Sequence, residues 1–553
     1  MWYRKVAIWA SVILLSFTLG FVSDISDNYF EISKNLDIFG RLYREINSLY
    51  VDDTDPTELM RTGIDAMLES LDPYTNYISE EEVEDFRFMS TGQYGGVGAL
   101  IGKRDGKIMV IEPYEGYPAF VAGLRAGDQI VKIDNEKVSA SSMEISDVRN
   151  LLRGNKGTEV TIYFKRNEQG DIQKALISRD RIKIDNVPFF GMVNDQVGYI
   201  RLEGFTQDAG KEVQEAVEEL KDKHHGIKGI VLDLRGNPGG RLDESVRIAN
   251  VFIPQKEVIV ETRGRVNGSR RTHNAQRSPV DIDIPLAVLV NGKSASASEI
   301  VAGAIQDLDR GVIVGQRSFG KGLVQNIRPL SYNTQLKVTT AKYYTPSGRC
   351  IQAINYAERD ENGSVSRIPD SLQHSFKTRN GRTVYDGGGI APDVYVEKKS
   401  PAKIVQALKA QGLIFDFATQ YWKKNKTIPS ARDFKVDEQL YAEFTKFVNR
   451  QKFDYDTPAD DELEELRAVI DREAYASQLQ DELLALESEL DEQKDMDLAK
   501  HQTEIAWLLK IEILKRYYFK IGPIEASLDH DSEILKAAEV LEDNSRYRKL
   551  LRK

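Results

Sequence analysis

The stretch NGKSASASEIVAGAIQ, Asn291 to Gln306, carries hydroxyls at Ser294, Ser296 and Ser298 directly ahead of an apolar run at helical spacing. A serine at the mouth of a helix has two uses. It can cap: Ser296 followed by Glu299 fits a capping box, with serine at the N-cap and glutamate at N3. It can also attack, because the unpaired N–H groups and the positive end of the helix favour an anion there. A nucleophile and part of an oxyanion hole can be built at such a point. The G-x-S-x-G elbow is absent, since Gly292-Lys293-Ser294-Ala295-Ser296 ends in serine. A nucleophile also needs a base, and none of the six histidines (His224, His225, His273, His374, His501, His530) is beside this segment in sequence.

A second stretch, VGQRSFGKGLVQ (Val314–Gln325), holds a lysine in a glycine-rich turn. Gly315-x-x-x-x-Gly320-Lys321 has the outline of a phosphate loop, yet Gly322 stands where Ser or Thr is required and β-like residues follow where a helix should. The lysine serves equally as a plain surface cation or as a general base. The latter requires its pKa to fall roughly three units from about 10.4, at a cost of about 4 kcal/mol. If the segment is a strand, Gln325 shares a face with Lys321 and can orient its amine. A third stretch, DLRGNPGG (Asp233–Gly240), is a glycine turn after a buried strand, and its N–H groups can complete an oxyanion hole. Pro238 has no N–H, so Gly239 is the better donor and Ala297 the other. The same turn also reads as a simple strand-to-helix connection.

These stretches sit in a region, 190–350, where buried apolar runs alternate with helical ones: VGYIRLEGF, then the amphipathic DAGKEVQEAVEELKDKH, then KGIVLDL, IPLAVLVN and GVIVG. That alternation predicts an α/β core with parallel strands, closed by a hairpin from LVQNIRPL and QLKVTTAKYYT. Upstream, residues 28–80 read as helical, with Ile32, Leu36, Phe39, Leu42, Ile46 and Leu49 in register and a break at Asp55-Pro56. Residues 88–170 change to short strands and turns. GQYGGVGALIG, with Gly95, Gly96, Val97 and Gly98, precedes AGLRAGDQIVKIDNEKV, the short helix EISDVRNLLRG and the strand TEVTIYFKR. This order resembles a PDZ domain, whose glycine loop offers N–H groups to a peptide's terminal carboxylate while the peptide adds as a strand. A plain small β-barrel with tight turns is the alternative. After residue 400 glycine nearly vanishes and charge rises, as in the acidic helical run Asp461–Asp495.

The bulk numbers agree. A chain of 553 residues exceeds one core. Hydrophobic residues make up 41% and charged residues 29%, a globular composition. A net charge of −11 excludes nucleic acid as the main partner, because phosphate binding needs a basic face. With one cysteine, Cys350, neither an intrachain disulfide nor a cysteine zinc site can form. At the N-terminus, Arg4 and Lys5 precede an uncharged run from Val6 to Val22, which reads as a signal peptide or short signal anchor contacting the membrane, with the rest exported. A buried N-terminal helix is the bland alternative.

Taken in order, the export signal, LDPYTNYIS (Leu71–Ser79), the PDZ-like segment, DLRGNPGG, SASASEIVAGAIQD, FGKGLVQ, YYTPSGRCIQ (Tyr343–Gln352) and GGGIAPDVYV (Gly387–Val396) resemble the carboxyl-terminal processing peptidases, also called tail-specific proteases. The resemblance covers roughly residues 35–400. It implies a multidomain α/β protein with a crotonase-like α/β protease core, an inserted PDZ domain, and helical N- and C-terminal regions. The expected segments are 1–23 (signal or anchor), 28–85 (helical), 88–170 (PDZ), 180–400 (protease core) and 401–553 (helical). The resemblance further implies that Ser296 is the nucleophile, Lys321 its base and Gln325 the residue orienting the lysine. Gly239 and Ala297 would form the oxyanion hole, and Gly95, Gly96, Val97 and Gly98 would bind the substrate tail. Asp307 occupies a position sometimes given an acidic role, but it lies eleven residues from Ser296, about 16 Å along a helix, which suits a structural part better. The expected protein is an exported endopeptidase on the periplasmic side of the membrane, needing no metal or cofactor. It would take protein substrates with apolar C-terminal tails, and an adaptor or a second copy could join through the C-terminal helices. The rival readings are a PDZ-bearing scaffold on a degenerate protease fold, opposed by the intact Ser296, Lys321 and Gln325, and a nucleotide-dependent enzyme, opposed by Gly322.

Overall fold

A computed structural model describes residues 29–552, apart from 167–169, 267, 361–362, 399 and 474–475. The expected export segment therefore lies outside the described residues. The chain forms two compact units, one of residues up to Glu80 together with Gln325–Thr339, the other of Glu81–Val324 with Thr340–Lys553.

The larger unit is built on a six-stranded sheet. Its strands, in spatial order, are β1 (Phe189–Met192), β2 (Val197–Arg201), β3 (Gly229–Asp233), β4 (Leu286–Val290), β5 (Val312–Gly315) and β6 (Val394–Tyr395). The β1–β2 pair is antiparallel and the other four pairs are parallel. Every residue of β3, β4 and β5 is buried, which is why GIVLD and LAVLV read as unbroken apolar runs. Side chains alternate between two cores. Ile200, Leu232, Val288 and Val290 face helices α1 (Ala209–Lys223), α2 (Leu242–Phe252) and α3 (Ala297–Asp307). Tyr199, Val231, Leu289 and Val314 face α4 (Ser532–Glu542) through Ile534, Ala538 and Leu541. The helix α4 thus covers one face of this sheet, a long-range pairing that local patterning cannot reveal.

The PDZ segment forms an antiparallel sheet in the order Ala99–Arg104, Lys107–Pro113, Gln129–Ile133, Glu159–Lys165, Gln173–Ser178, with the helix Ile145–Leu152 packed on it through Val148 and Leu152. Its sheet runs past residue 170, to Ser178. Gln93–Gly96 pairs with Asp180–Lys183, so the chain enters and leaves this domain on adjacent strands, as an insertion must. Farther on, Lys403–Ala410, Leu413–Lys424, Glu438–Arg450 and Gln502–Tyr518 gather around Phe444, Leu509 and Ile513. Pro458–Arg472 and Ala476–Lys500 form a helical hairpin around Leu463, Ile470 and Leu483.

In the smaller unit residues 29–49 are helical and Pro56–Glu69 forms a second helix. Asp55 caps the latter, its carboxylate accepting from the N–H of Thr57 at 2.7 Å and Glu58 at 3.1 Å, with proline at the first helical position where its missing N–H costs nothing. The strand Asn76–Ile78 of LDPYTNYIS pairs with Gln335–Lys337. The hairpin expected from LVQNIRPL and QLKVTTAKYYT forms from Leu323–Pro329 and Gln335–Tyr344. Among the described residues no helix is long and apolar enough to cross a membrane.

Candidate active site

Strand β4 ends at Val290, and the chain reverses through Asn291–Ser296 into α3. The three serines divide their labour. Ser294 and Ser298 are fully buried, at 0% exposure, while Ser296 is only partly buried. Ser294 Oγ donates to Leu234 O at 2.8 Å and accepts from Asn291 N–H at 2.9 Å. Ser298 Oγ donates to Asn237 O at 2.9 Å. Both hydroxyls therefore lock the serine turn to the DLRGNPGG turn, and neither is presented to a substrate. Ser296 has φ 55° and ψ −111°, a conformation that side-chain-bearing residues rarely adopt. Such strain persists only where surrounding contacts impose it, and it collects at functional positions.

Glu299 imposes it. The glutamate half of the expected capping box is present, with Ser296 N–H donating to Oε2 at 2.8 Å. The same Oε2 accepts from Lys321 N–H at 2.9 Å, while Oε1 accepts from Gly320 N–H at 2.7 Å and Ser318 Oγ at 2.5 Å. The carboxylate is wholly buried, and burial pushes its pKa up to about 7 against the pull of those four donors. Because every facing group is a donor, only the deprotonated form satisfies them all. A second clamp works on the carbonyl side: Tyr343 Oη lies 3.1 Å from Ser296 O and 2.6 Å from Lys321 O. One carboxylate and one phenol thus bridge the backbones of two residues twenty-five positions apart in sequence. Sequence reasoning read Glu299 only as a helix cap and missed Tyr343. The signal available was an acid, Glu299, within the apolar first two turns of α3.

Lys321 is partly buried in the loop between β5 and the strand Leu323–Pro329. The strand begins at Leu323, as LVQNIRPL predicts, so Lys321 lies ahead of it in the loop between two glycines, and the condition under which it would share a strand face with Gln325 is not met. Gly322 N–H donates to Gln352 Oε1 at 2.7 Å, and no helix follows the lysine. Gln325 lies in the smaller unit, where its Nε2 donates to Thr339 Oγ1 at 3.1 Å.

The DLRGNPGG turn meets the serine from the other side. Asn237 is buried; its Nδ2 donates to Leu202 O at 2.9 Å, and its own carbonyl accepts from Ala295 N–H at 3.1 Å. Gly239, at φ 99°, comes so close that a Cβ would lie 2.6 Å from Ala295 O and 2.8 Å from Ala297 N, so only glycine fits there. Its N–H donates to Asn237 Oδ1 at 2.9 Å. The N–H of Ala297, at the first turn of α3, has no acceptor within the helix. The turn is anchored at its start by Asp233. Burial pushes that carboxyl up, but Arg235 and Arg201 overcome it and hold the group well below the usual carboxylate range. Arg235 also reaches Asp531, the N-cap of α4, at 2.8 Å.

Asp307 stands at the far end of α3. Its carboxylate pairs with the buried Arg349 at 2.8 Å and accepts from Ser347 N–H at 3.1 Å. It braces the TPSGRC turn and reaches none of the groups around Ser296 through these bonds. Among the described residues no three His, Cys, Asp or Glu side chains converge as metal ligands. Of the tail-binding candidates, Gly95 and Gly96 end the strand Gln93–Gly96, paired with Arg181 and Asp180, while Val97 and Gly98 connect it to Ala99–Arg104, and Val97 lines a cavity with Ala99, Ile145 and Leu152.

Residues 196–360 match peptidase family S41, residues 109–166 match a PDZ domain, and residues 404–541 match the C-terminal helical domain of probable PDZ-proteases. The chain is 38% identical over 355 residues to a carboxy-terminal-processing protease of Bartonella bacilliformis, covering 64% of this chain and 81% of that one. It is 34% identical over 395 residues to the carboxy-terminal processing protease CtpA of Bacillus subtilis, covering 70% and 82%. Among solved structures, the photosystem II D1 C-terminal processing protease is 27% identical, with 65% of this chain and 92% of that one covered and a TM-score of 0.35.

Proposed function

The chain belongs to peptidase family S41, the carboxy-terminal processing serine proteases, and from that premise we propose that it cleaves peptide bonds with Ser296 as nucleophile and Lys321 as general base. The observation that carries the assignment is the double clamp, in which the Glu299 carboxylate accepts from both backbone N–H groups and the Tyr343 hydroxyl donates chiefly to Lys321 O, with Ser296 O also within its reach. Of the three serines only Ser296 retains exposure.

In this reading Ser296 Oγ attacks the scissile carbonyl carbon while the neutral Lys321 amine takes its proton. The tetrahedral oxyanion is held by the Ala297 N–H with the Gly239 turn. Gly239 N–H shares itself with Asn237 Oδ1, which makes Ala297 the principal donor. The C–N bond then breaks, and the Lys321 ammonium returns its proton to the leaving amine. Water, deprotonated by the same lysine, hydrolyses the acyl ester and frees Ser296. Gln325 is assigned to orienting the lysine on the strength of the resemblance alone.

The PDZ domain is assigned to reading substrate tails. Gly95, Gly96, Val97 and Gly98 take the terminal carboxylate, and the tail lies as an added strand beside Ala99–Arg104. The basic-then-apolar N-terminus supports export to the periplasmic side of the membrane, and the parallel strands β2–β6 with their crossover helices support a crotonase-like core.

One reporter protein with an apolar tail tests the proposal, offered as free acid and as amide to wild-type enzyme and to Ser296→Ala. The free acid should be cleaved much faster than the amide, and Ser296→Ala should cleave neither. Cleavage by a folded Ser296→Ala protein would end the nucleophile assignment. Equal rates on acid and amide below saturation would end the tail assignment.

A further inference from the structure

The helix Val83–Thr91 precedes the PDZ sheet, and Gly92 turns the chain from it directly into the strand that leads to the glycine loop. The helix is fastened to the groove by a ring of contacts. Phe88 packs edge-to-face on Tyr94, with centroids 5.1 Å apart. The Arg153 guanidinium lies over the Tyr94 ring at 5.5 Å, and Arg153 pairs with Asp85, back on the helix. Arg149, 3.8 Å from Asp85, stands at the rim. A cavity of about 390 Å³ stays open inside this ring. Val97, Ala99 and Leu152 line it from the PDZ fold, and Phe88, Met89 and Tyr94 from the helix side.

We propose that the helix Val83–Thr91 is a third wall of the tail-binding groove and makes the enzyme selective for substrates whose last residue carries a large apolar side chain, aromatic or long aliphatic. The inference rests on the tail-reading assignment above. A groove formed by strand and helix alone would leave the final side chain open on one flank. Here Phe88 and Met89 supply apolar surface on that flank, and a large side chain buries what a small one leaves empty. Two arginines, Arg149 and Arg153, against one carboxylate, Asp85, leave the rim net cationic, which suits a chain end that carries a carboxylate. The PDZ match begins at residue 109 and so does not include this helix.

The test compares kcat/KM for one reporter ending in Phe or in Ala, with full-length wild type, Phe88→Ala and Met89→Ser. Met89 is 65% exposed, so its substitution leaves the fold in place even if Phe88→Ala does not. Wild type should prefer the Phe tail by at least about tenfold. Each variant should lose most of that preference, slowing on the Phe tail by about tenfold more than on the Ala tail. Equal loss on both tails, or a preference that survives both substitutions, overturns the third wall. An amidated Phe tail distinguishes the two levels: if amidation leaves wild-type kcat/KM unchanged, the tail-reading assignment fails, whatever the variants do.

Discussion

Glu299→Gln strikes the centre of the clamp while changing one atom. In the wild type Oε1 serves Ser318 and Gly320, and Oε2 serves Ser296 and Lys321. A glutamine keeps one acceptor oxygen, and its NH2 faces two donors whichever way it turns. Each buried donor left without a partner costs about 1–3 kcal/mol, so the pair costs about 2–6 kcal/mol. The neutral amide, however, escapes the burial that raises the Glu299 pKa from 4.5 to about 7, a shift equivalent to about 3 kcal/mol above pH 7. Stability near pH 8 should therefore fall by at most about 3 kcal/mol, whereas kcat should fall at least about 100-fold, because the proposed nucleophile and base lose a shared anchor. The linkage has a definite sign. The folded state holds the Glu299 proton more tightly than the unfolded state, so the wild type gains this stability below about pH 4.5 and loses it as pH rises through about 7. Glu299→Gln lacks that contribution. Denaturation midpoints of both proteins at pH 5 and pH 8, with initial rates at pH 8, make the comparison. A folded variant with kcat within threefold of wild type would refute the clamp. A difference between the two proteins that does not change with pH would refute the assignment of the titration to Glu299.

Three further outcomes follow from the same geometry. Lys321→Arg should be as inactive as Lys321→Ala in a cleavage assay at any pH up to about 9, because arginine stays protonated and accepts no proton; an active arginine variant would remove the lysine from the base role. Ser296→Gly should be more stable than Ser296→Ala by about 1–2 kcal/mol in thermal unfolding, because glycine adopts φ 55° without strain; equal midpoints would mean that the turn stores none. Asp307→Asn should cost about 3–5 kcal/mol by leaving the buried Arg349 without its counter-ion, while the folded fraction keeps wild-type kcat; a stable but inactive variant would give Asp307 a role in the chemistry.

Much of the site was legible because its parts are local. Ser296 with Glu299, the glycine turn after β3 and the lysine between glycines are each contained in a dozen residues or fewer. The strands β3, β4 and β5 were legible as well, since a strand buried on both faces writes itself as an unbroken apolar run. What escaped depends on segments distant in sequence. Glu299 looks like an ordinary cap until the loop Ser318–Lys321 folds back onto it, and Tyr343 reads as one aromatic in a strand until its hydroxyl meets two carbonyls. Nothing in α4 announces that it covers Tyr199, Val231 and Leu289, more than 240 residues earlier. The strand was legible from its start at Leu323, because the glycines flanking Lys321 break the β pattern ahead of it.

The central claim is a covalent intermediate on Ser296. Acid-quenching the enzyme during turnover of a tailed substrate, then digesting and mapping it by mass spectrometry, tests that claim most directly. The acyl group should sit on the peptide containing Ser294, Ser296 and Ser298, fragment to Ser296, and be absent from Ser296→Ala and Lys321→Ala. An acyl group on Ser294, on Ser298 or on another residue, or active turnover with none formed, would contradict the account.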